Sequence, residues 1–333
     1  MRLPRRLRSD REGVASTVGT LMALLVFLTF LSVIVNQWVP VWSKDSEAAH
    51  MNVALGQMAG MKGSIDLQDL AAQASGSDYV PVTAASAVTL GMDGVPLFGS
   101  PTLGTVASDP DAGPFTVTFD YFIHTPSGSD IRTRVRELSN GTVVLNVKNR
   151  YFPQQVIAYE NGAVIRSQQD GQVVRAPPTF LVTESNNSMK IRMDLISLYG
   201  RSAVSGTSTE VVNTRLFATD LQTYDRFPAN AVIWANHTSA YGLAWYQFLN
   251  STLASSLRLG GTYVFTPLDQ SFTARIGALV VYKISVTFIP TTSQYITRLE
   301  IHNNPGILGL DSFRLRHAQV QVGVGEAPEN AFK

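Results

Sequence analysis

The sequence predicts an α+β chain that is mostly β. A long N-terminal helix, transmembrane and then stalk-like, precedes an antiparallel β-sandwich head that carries one amphipathic helix. Three observations predict this. Gly13 to Ser43 is an unbroken run of 31 residues without a charged side chain. Period-two alternation broken by turn residues dominates from Tyr79 onward. One stretch after Ser239 returns to helical spacing.

The apolar run comes first. Between Val18 and Val35, 12 of 18 positions are Leu, Val, Ile or Phe. A helix rises 1.5 Å per residue, so about 20 residues cross a hydrocarbon core of about 30 Å. Each such side chain favours insertion by roughly 0.3–0.6 kcal/mol, which sums to roughly 4–7 kcal/mol over the run. A buried helix of a soluble core would show a polar stripe, and none occurs before Asn36. A cleaved secretory signal would have a shorter apolar core followed closely by a small-x-small site. Here the run is followed by Asn36-Gln37-Trp38-Val39-Pro40-Val41-Trp42. Trp38 and Trp42 suit the outer membrane boundary, where amphipathic rings settle.

Arg2, Arg5, Arg6, Arg8 and Arg11 precede the span, against Asp10 and Glu12. The positive-inside bias therefore places the N-terminus in the cytoplasm and the bulk of the chain outside. The expected divisions are a basic tail or leader over 1–13, a transmembrane helix over 14–43, a helical stalk over 44–76 and an extracellular head over 77–333. The head is one unit or two, with a break near 200–206 (Gly200 to Gly206) if two.

The formal net charge is +1. The first thirteen residues hold five Arg and two acids, a net +3, which leaves −2 for the rest. The basic balance belongs to the tail and is no nucleic-acid footprint. There is no cysteine, so disulfides, thiol catalysis and thiolate metal sites are excluded. The expected partners are membrane lipids, further copies or pilin-like subunits through the apolar helix, and envelope components or glycans at the head. Asn140, Asn186, Asn236 and Asn250 each begin an N-x-Ser/Thr sequon in the part expected outside, and are the candidate glycosylation sites.

Met51, Leu55, Met58 and Ile65 carry a helical stripe beyond the charged patch Lys44-Asp45-Ser46-Glu47. Such a helix can pack on a head or on copies of itself. Pro40 lacks an amide donor and is expected to bend the helix. Gly56, Gly60 and Gly63 weaken its distal end, and Gly76-Ser77-Asp78 marks the break. Alternating runs then follow at 115–122, 142–147, 190–195, 278–289 and 313–322, with turn signals at Asp93-Gly94, Asn140-Gly141, Asn161-Gly162, Asp170-Gly171, Gly260-Gly261 and Asn304-Pro305-Gly306. Ser239 is the expected N-cap of a helix bearing Trp245, Phe248, Leu249, Leu253 and Leu257.

No catalytic pattern is present, and no enzyme, metal site or cofactor is expected. The five histidines (His50, His124, His237, His302 and His317) lack metal-ligand spacing. Asp109-Pro110-Asp111 matches no calcium loop and reads as a solvated turn. Tyr121, Tyr151, Phe152 and Tyr159 could form an aromatic face, or simply fill the pleat of a half-buried sheet.

The start Arg11-Glu12-Gly13-Val14-Ala15-Ser16-Thr17-Val18-Gly19-Thr20-Leu21 resembles the class III signal sequences of archaeal type IV pilin-like proteins and archaellins. Val88-Thr89-Leu90-Gly91 with Asp93-Gly94-Val95-Pro96 and Pro101-Thr102, Tyr159 to Arg166, and Val173 to Pro178 are similar to segments of large pilin-like membrane proteins of euryarchaea. The resemblance implies cleavage by a membrane peptidase between Gly13 and Val14, followed by burial of the apolar helix in a filament core. Glu12 stands where that family usually has Lys or Arg before the small residue.

Overall fold

The computed structural model describes residues 10–92 and 101–329, with side chains from Ala15 onward. The turn signal Asp93-Gly94 and the arginines Arg2, Arg5, Arg6 and Arg8 lie outside the described residues.

One helical rod begins the chain. Helix α1 spans Asp10–Val33, a π-helical turn spans Ile34–Trp38, and helix α2 spans Val39–Ser75. The irregular turn lies where the sequence predicts a bend. Pro40 sits in the first turn of α2 and has no amide to donate, so the regular ladder cannot pass through unbroken. The rod ends at Gly76, which takes φ 55°, a conformation open to glycine at little steric cost. Gly56, Gly60 and Gly63 do not interrupt it. Each costs about 1 kcal/mol relative to Ala, whereas each fully buried Met or Ile on the same helix contributes roughly 1.5–3 kcal/mol.

The remainder is β-rich, with strands in three sheets. The five-stranded sheet has the order β1 (Ala84–Thr89), β12 (Thr209–Tyr224), β18 (Gly309–Val324), β10 (Ser188–Tyr199), β9 (Phe180–Ser185). The six-stranded sheet runs β11 (Ser202–Gly206), β2 (Gly104–Asp109), β5 (Thr142–Val147), β6 (Gln155–Glu160), β7 (Ala163–Gln168), β8 (Gly171–Ala176). The seven-stranded sheet runs β14 (Gly261–Phe265), β15 (Asp269–Ile276), β16 (Leu279–Ile289), β17 (Gln294–His302), β13 (Val232–Ser239), β3 (Phe115–His124), β4 (Asp130–Ser139). Among the described residues the strand pairings are antiparallel with one departure, the parallel pair β10–β18. A parallel pair needs a long crossover, and more than a hundred residues of chain, including a helix over Gly242–Leu257, intervene here.

Long strands β10 and β18 join two cores. Met189, Ile191, Met193 and Leu195 with Phe313 and Leu315 belong to one, together with the seven-stranded sheet. Ile196, Leu198, Ala318, Val320, Val322 and Val324 belong to the other, together with α2 and the six-stranded sheet. The switch from odd to even positions puts the two cores on opposite faces of the five-stranded sheet, because side chains alternate across a strand.

The segment 44–76, expected as a stalk, packs on the head. Helix α2 lies between the five- and six-stranded sheets, and Met51, Ala54, Met58, Met61 and Ile65 are buried there. The expected break at 200–206 coincides with β11, which pairs with β2. Strands from both sides of it share the five-stranded sheet.

Helix α3 (Gly242–Leu257) lies against the first core, with Trp245, Leu249, Leu253 and Leu257 buried. Its N-cap is Tyr241 rather than Ser239. The Ser239 hydroxyl is instead engaged with Glu160, and accepts the Tyr241 N–H at 2.9 Å. The Asn161-Gly162 turn joins β6 to β7 with φ 43° and 80°, the positive pair a two-residue hairpin requires.

Candidate membrane segment and buried polar clusters

The helix contains an 18-residue window of mean hydropathy 2.6, none of it buried. Among the described residues it is the one helix long and apolar enough to cross a membrane. Leu21, Leu24, Leu25, Phe27, Leu28 and Phe30 all point outward into open space. The Gly13–Val14 bond falls within α1, four residues into the helix as described. Trp38 and Trp42 are 54% and 45% exposed, with ring centroids 6.1 Å apart.

The character of the rod changes at Val39. From there one side is sealed against the head at Val39, Ser43, Glu47, Met51, Ala54, Met58, Met61, Ile65, Gln68 and Ala72. Polar side chains on that stripe grip distant backbone. The Glu47 carboxylate is 1% exposed as a residue, and accepts the N–H groups of Arg150, Tyr151 and Phe152 at 2.9, 2.8 and 2.6 Å. The Gln68 side-chain amide donates to the Thr214 carbonyl and accepts the Leu216 N–H at 2.7 Å. Asp69 accepts from Thr219 and pairs with Arg316. None of these buried groups is among the candidate site residues of the sequence. A charged or amide residue sitting at the spacing of the apolar stripe was the available signal, at Glu47 and Gln68.

A second cluster lies in the other core. The Glu160 carboxyl group lies 2.5 Å from His237 Nε2, and accepts from Trp245 Nε1 at 2.8 Å and from the Ser239 hydroxyl at 2.9 Å. His237 Nδ1 faces the Pro114 carbonyl at 3.1 Å, which can only accept. The imidazole is thus bracketed by a carbonyl and a carboxyl group. The rings of Phe115, His237 and Trp245 close over it, with centroids 5.0–5.5 Å apart. Burial, reinforced by the charge of Glu160, pushes the neighbouring Tyr241 hydroxyl well above its usual range. Histidine and carboxylate are a common acid–base couple, but their side chains are 1% and 2% exposed. The cluster fastens β6, β13 and α3 together.

The remaining expected sites are scattered. Asn186 and Asn236 are exposed, Asn140 is half-buried, and Asn250 is 8% exposed with its side chain bonded to Tyr282 and Tyr263. His50 is buried against the Thr89 carbonyl, while His124, His302 and His317 lie nearer the surface beside acids. Asp109 and Asp111 are both bound by Arg201, at 2.8 and 2.6 Å. Of the four aromatic residues, Tyr159 is fully buried and Tyr151 is exposed, so they share no face. Among the described residues, no group of three or more His, Asp or Glu is placed to hold a metal ion. A cleft of about 600 Å³ lies where α2 ends against β12, lined by Ala72, Tyr79, Phe217 and Leu221. It is wide and shallow, with no converging acid–base groups.

No protein-family model, curated protein or solved structure matches the chain.

Proposed function

We propose that the chain is a pilin-like subunit of an archaeal surface filament, held first in the membrane and then assembled through its hydrophobic N-terminal helix. The observation that carries this reading is the division of one continuous rod. Its first half is apolar with none of its hydrophobic window covered, and its second half is built into the core of the head. An apolar surface of this size must be covered by lipid or by other helices. A rod rooted in a folded body transmits the position of its free end to that body, which is what a helix-packed assembly needs. Removal of the basic tail at Gly13–Val14 would release the helix from the cytoplasmic side.

N-terminal mass spectrometry of protein from its native host, with electron microscopy of sheared surface material, tests this. The expected result is a mature N-terminus at Val14 in filaments containing the protein. An intact Arg2–Arg11 tail with no filaments would overturn it. That outcome would support the second reading, a non-polymerising single-pass membrane protein whose β-rich head binds envelope partners or glycans. The exposed Trp38–Trp42 pair, suited to a water–lipid boundary, favours it.

A further inference from the structure

The level at which the head meets the rod carries a consequence for the membrane-resident protein. Val39 is 2% exposed and Ser43 5%. A side chain on an isolated helix cannot be so covered, so the head already shields one side of the rod beside Trp38 and Trp42. There is no bare length of helix between those tryptophans and the folded body.

We infer that the loop 148–154 between β5 and β6 is a second membrane contact, resting on the phosphate headgroups of an anionic bilayer beside Trp38 and Trp42. The inference rests on the membrane-anchored reading of α1 given above. Three observations carry it. The first is height. Glu47 binds the backbone of Arg150, Tyr151 and Phe152, and lies five residues beyond Trp42, about 7–8 Å along the axis. The second is chemistry. Lys148, Arg150 and Tyr151 are exposed, neither basic residue forms an ion pair among the described residues, and Tyr151 is 39% exposed. Basic side chains beside an amphipathic ring are what an anionic headgroup layer attracts. The third is rigidity. Three amide donors on one buried carboxylate, with Phe152 packed against the core, fix the loop so that its exposed side chains keep their aim. On the rod itself Lys44 adds a positive charge at this level, and Asp45 is the neighbouring acid.

Because the chain has no cysteine, single reporters can be placed in the full-length protein in nanodiscs of mixed phosphatidylcholine and phosphatidylglycerol. Fluorophores go on Leu28→Cys in α1, Tyr151→Cys in the loop, and Ser77→Cys at the far end of the rod. Ser77 lies 30 residues beyond Glu47, about 45 Å along the axis. Acyl-chain nitroxide lipids should quench the Leu28→Cys label. Headgroup nitroxide lipids should quench the Tyr151→Cys label at least about twofold more than the Ser77→Cys label. Adding Lys148→Glu and Arg150→Glu should remove most of that difference, and phosphatidylcholine alone should reduce it. A quenched label on Leu28→Cys with equal signals from the other two overturns the loop contact and leaves the anchor standing. Absence of quenching on Leu28→Cys overturns both. Quenching at Tyr151→Cys that survives charge reversal overturns the anionic-headgroup contact.

Discussion

Asp69 on α2 and Arg316 on β18 form an ion pair 247 positions apart in sequence, enclosed between helix and sheet, and Asp194 on β10 approaches the same guanidinium at 3.5 Å. Arg316 is 3% exposed and its Nε has no partner. Removing Asp69 leaves this buried cation with Asp194 alone at 3.5 Å and some of its N–H donors unmatched, a cost of roughly 1–3 kcal/mol. Asp69→Ala should therefore lower the urea midpoint of the detergent-solubilised protein by that equivalent. Asp69→Ala combined with Arg316→Met should recover part of the loss, since the stranded cation is gone. A loss below about 1 kcal/mol for Asp69→Ala would class the pair with weak surface bridges.

The Glu160 cluster makes a sharper distinction between two substitutions. Glu160→Ala strands the donors of Trp245 and Ser239 and opens space beside His237, and should cost roughly 3–5 kcal/mol. Glu160→Gln keeps the volume, an acceptor for Trp245 at the Oε1 position and an amide that the Ser239 hydroxyl can turn to accept, so that only the His237 contact changes and it should cost clearly less. Equal losses for the two, measured by denaturant titration, would show that the charge rather than the hydrogen-bonding pattern matters.

Helix α2 belongs to the core and α1 does not, and truncation separates them. A chain lacking residues 1–37 should fold with the stability of the parent, because the apolar window makes no buried contact. Met58→Ala in either background should cost roughly 2–5 kcal/mol, since Met58 is fully buried among β-sheet side chains. Loss of cooperative unfolding in the truncated chain would show that the apolar half stabilises the head after all.

Acid sensitivity should trace partly to His50. Its Nε2 faces the Thr89 carbonyl, and its Nδ1 is buried without a partner, so a second proton would have no acceptor. Burial accordingly holds its pKa below the ordinary 6.5. Well above 6.5 the folded and unfolded chains carry the same neutral ring. As pH falls below that value, the unfolded chain takes up a proton that the folded chain resists, and stability declines. His50→Gln can still donate to Thr89 and should lose less stability than the parent on acidification from about pH 7 to 5. Parallel stability–pH curves for the two proteins would sink this assignment.

Much of the local architecture was legible because its causes are local. An uncharged apolar run long enough for a bilayer can be read without knowing its neighbours, and so can a helix with Trp245, Leu249, Leu253 and Leu257 on one side. The alternation at 142–147 matches β5 residue for residue, and Gly76 and Asn161-Gly162 signal their turns through backbone sterics alone. The misplaced cap at Ser239 marks where this kind of reading fails. A hydroxyl that suits a helix N-terminus also suits a buried carboxylate, and Glu160, 79 positions earlier, took it.

The sequence by itself determined which segments are oily, which alternate and where the chain turns, since these follow from side-chain polarity and φ/ψ limits within a few residues. The tertiary structure alone decided that α2 is sandwiched between sheets, that β10 and β18 run parallel, and that the strands divide into three sheets. It alone also decided which polar groups are engaged in the interior. Glu47 with Arg150–Phe152, Gln68 with Thr214 and Leu216, and Glu160 with His237 are each matched across long stretches of chain. A buried polar group must find its partner wherever the fold brings one, and no spacing along the chain records that meeting.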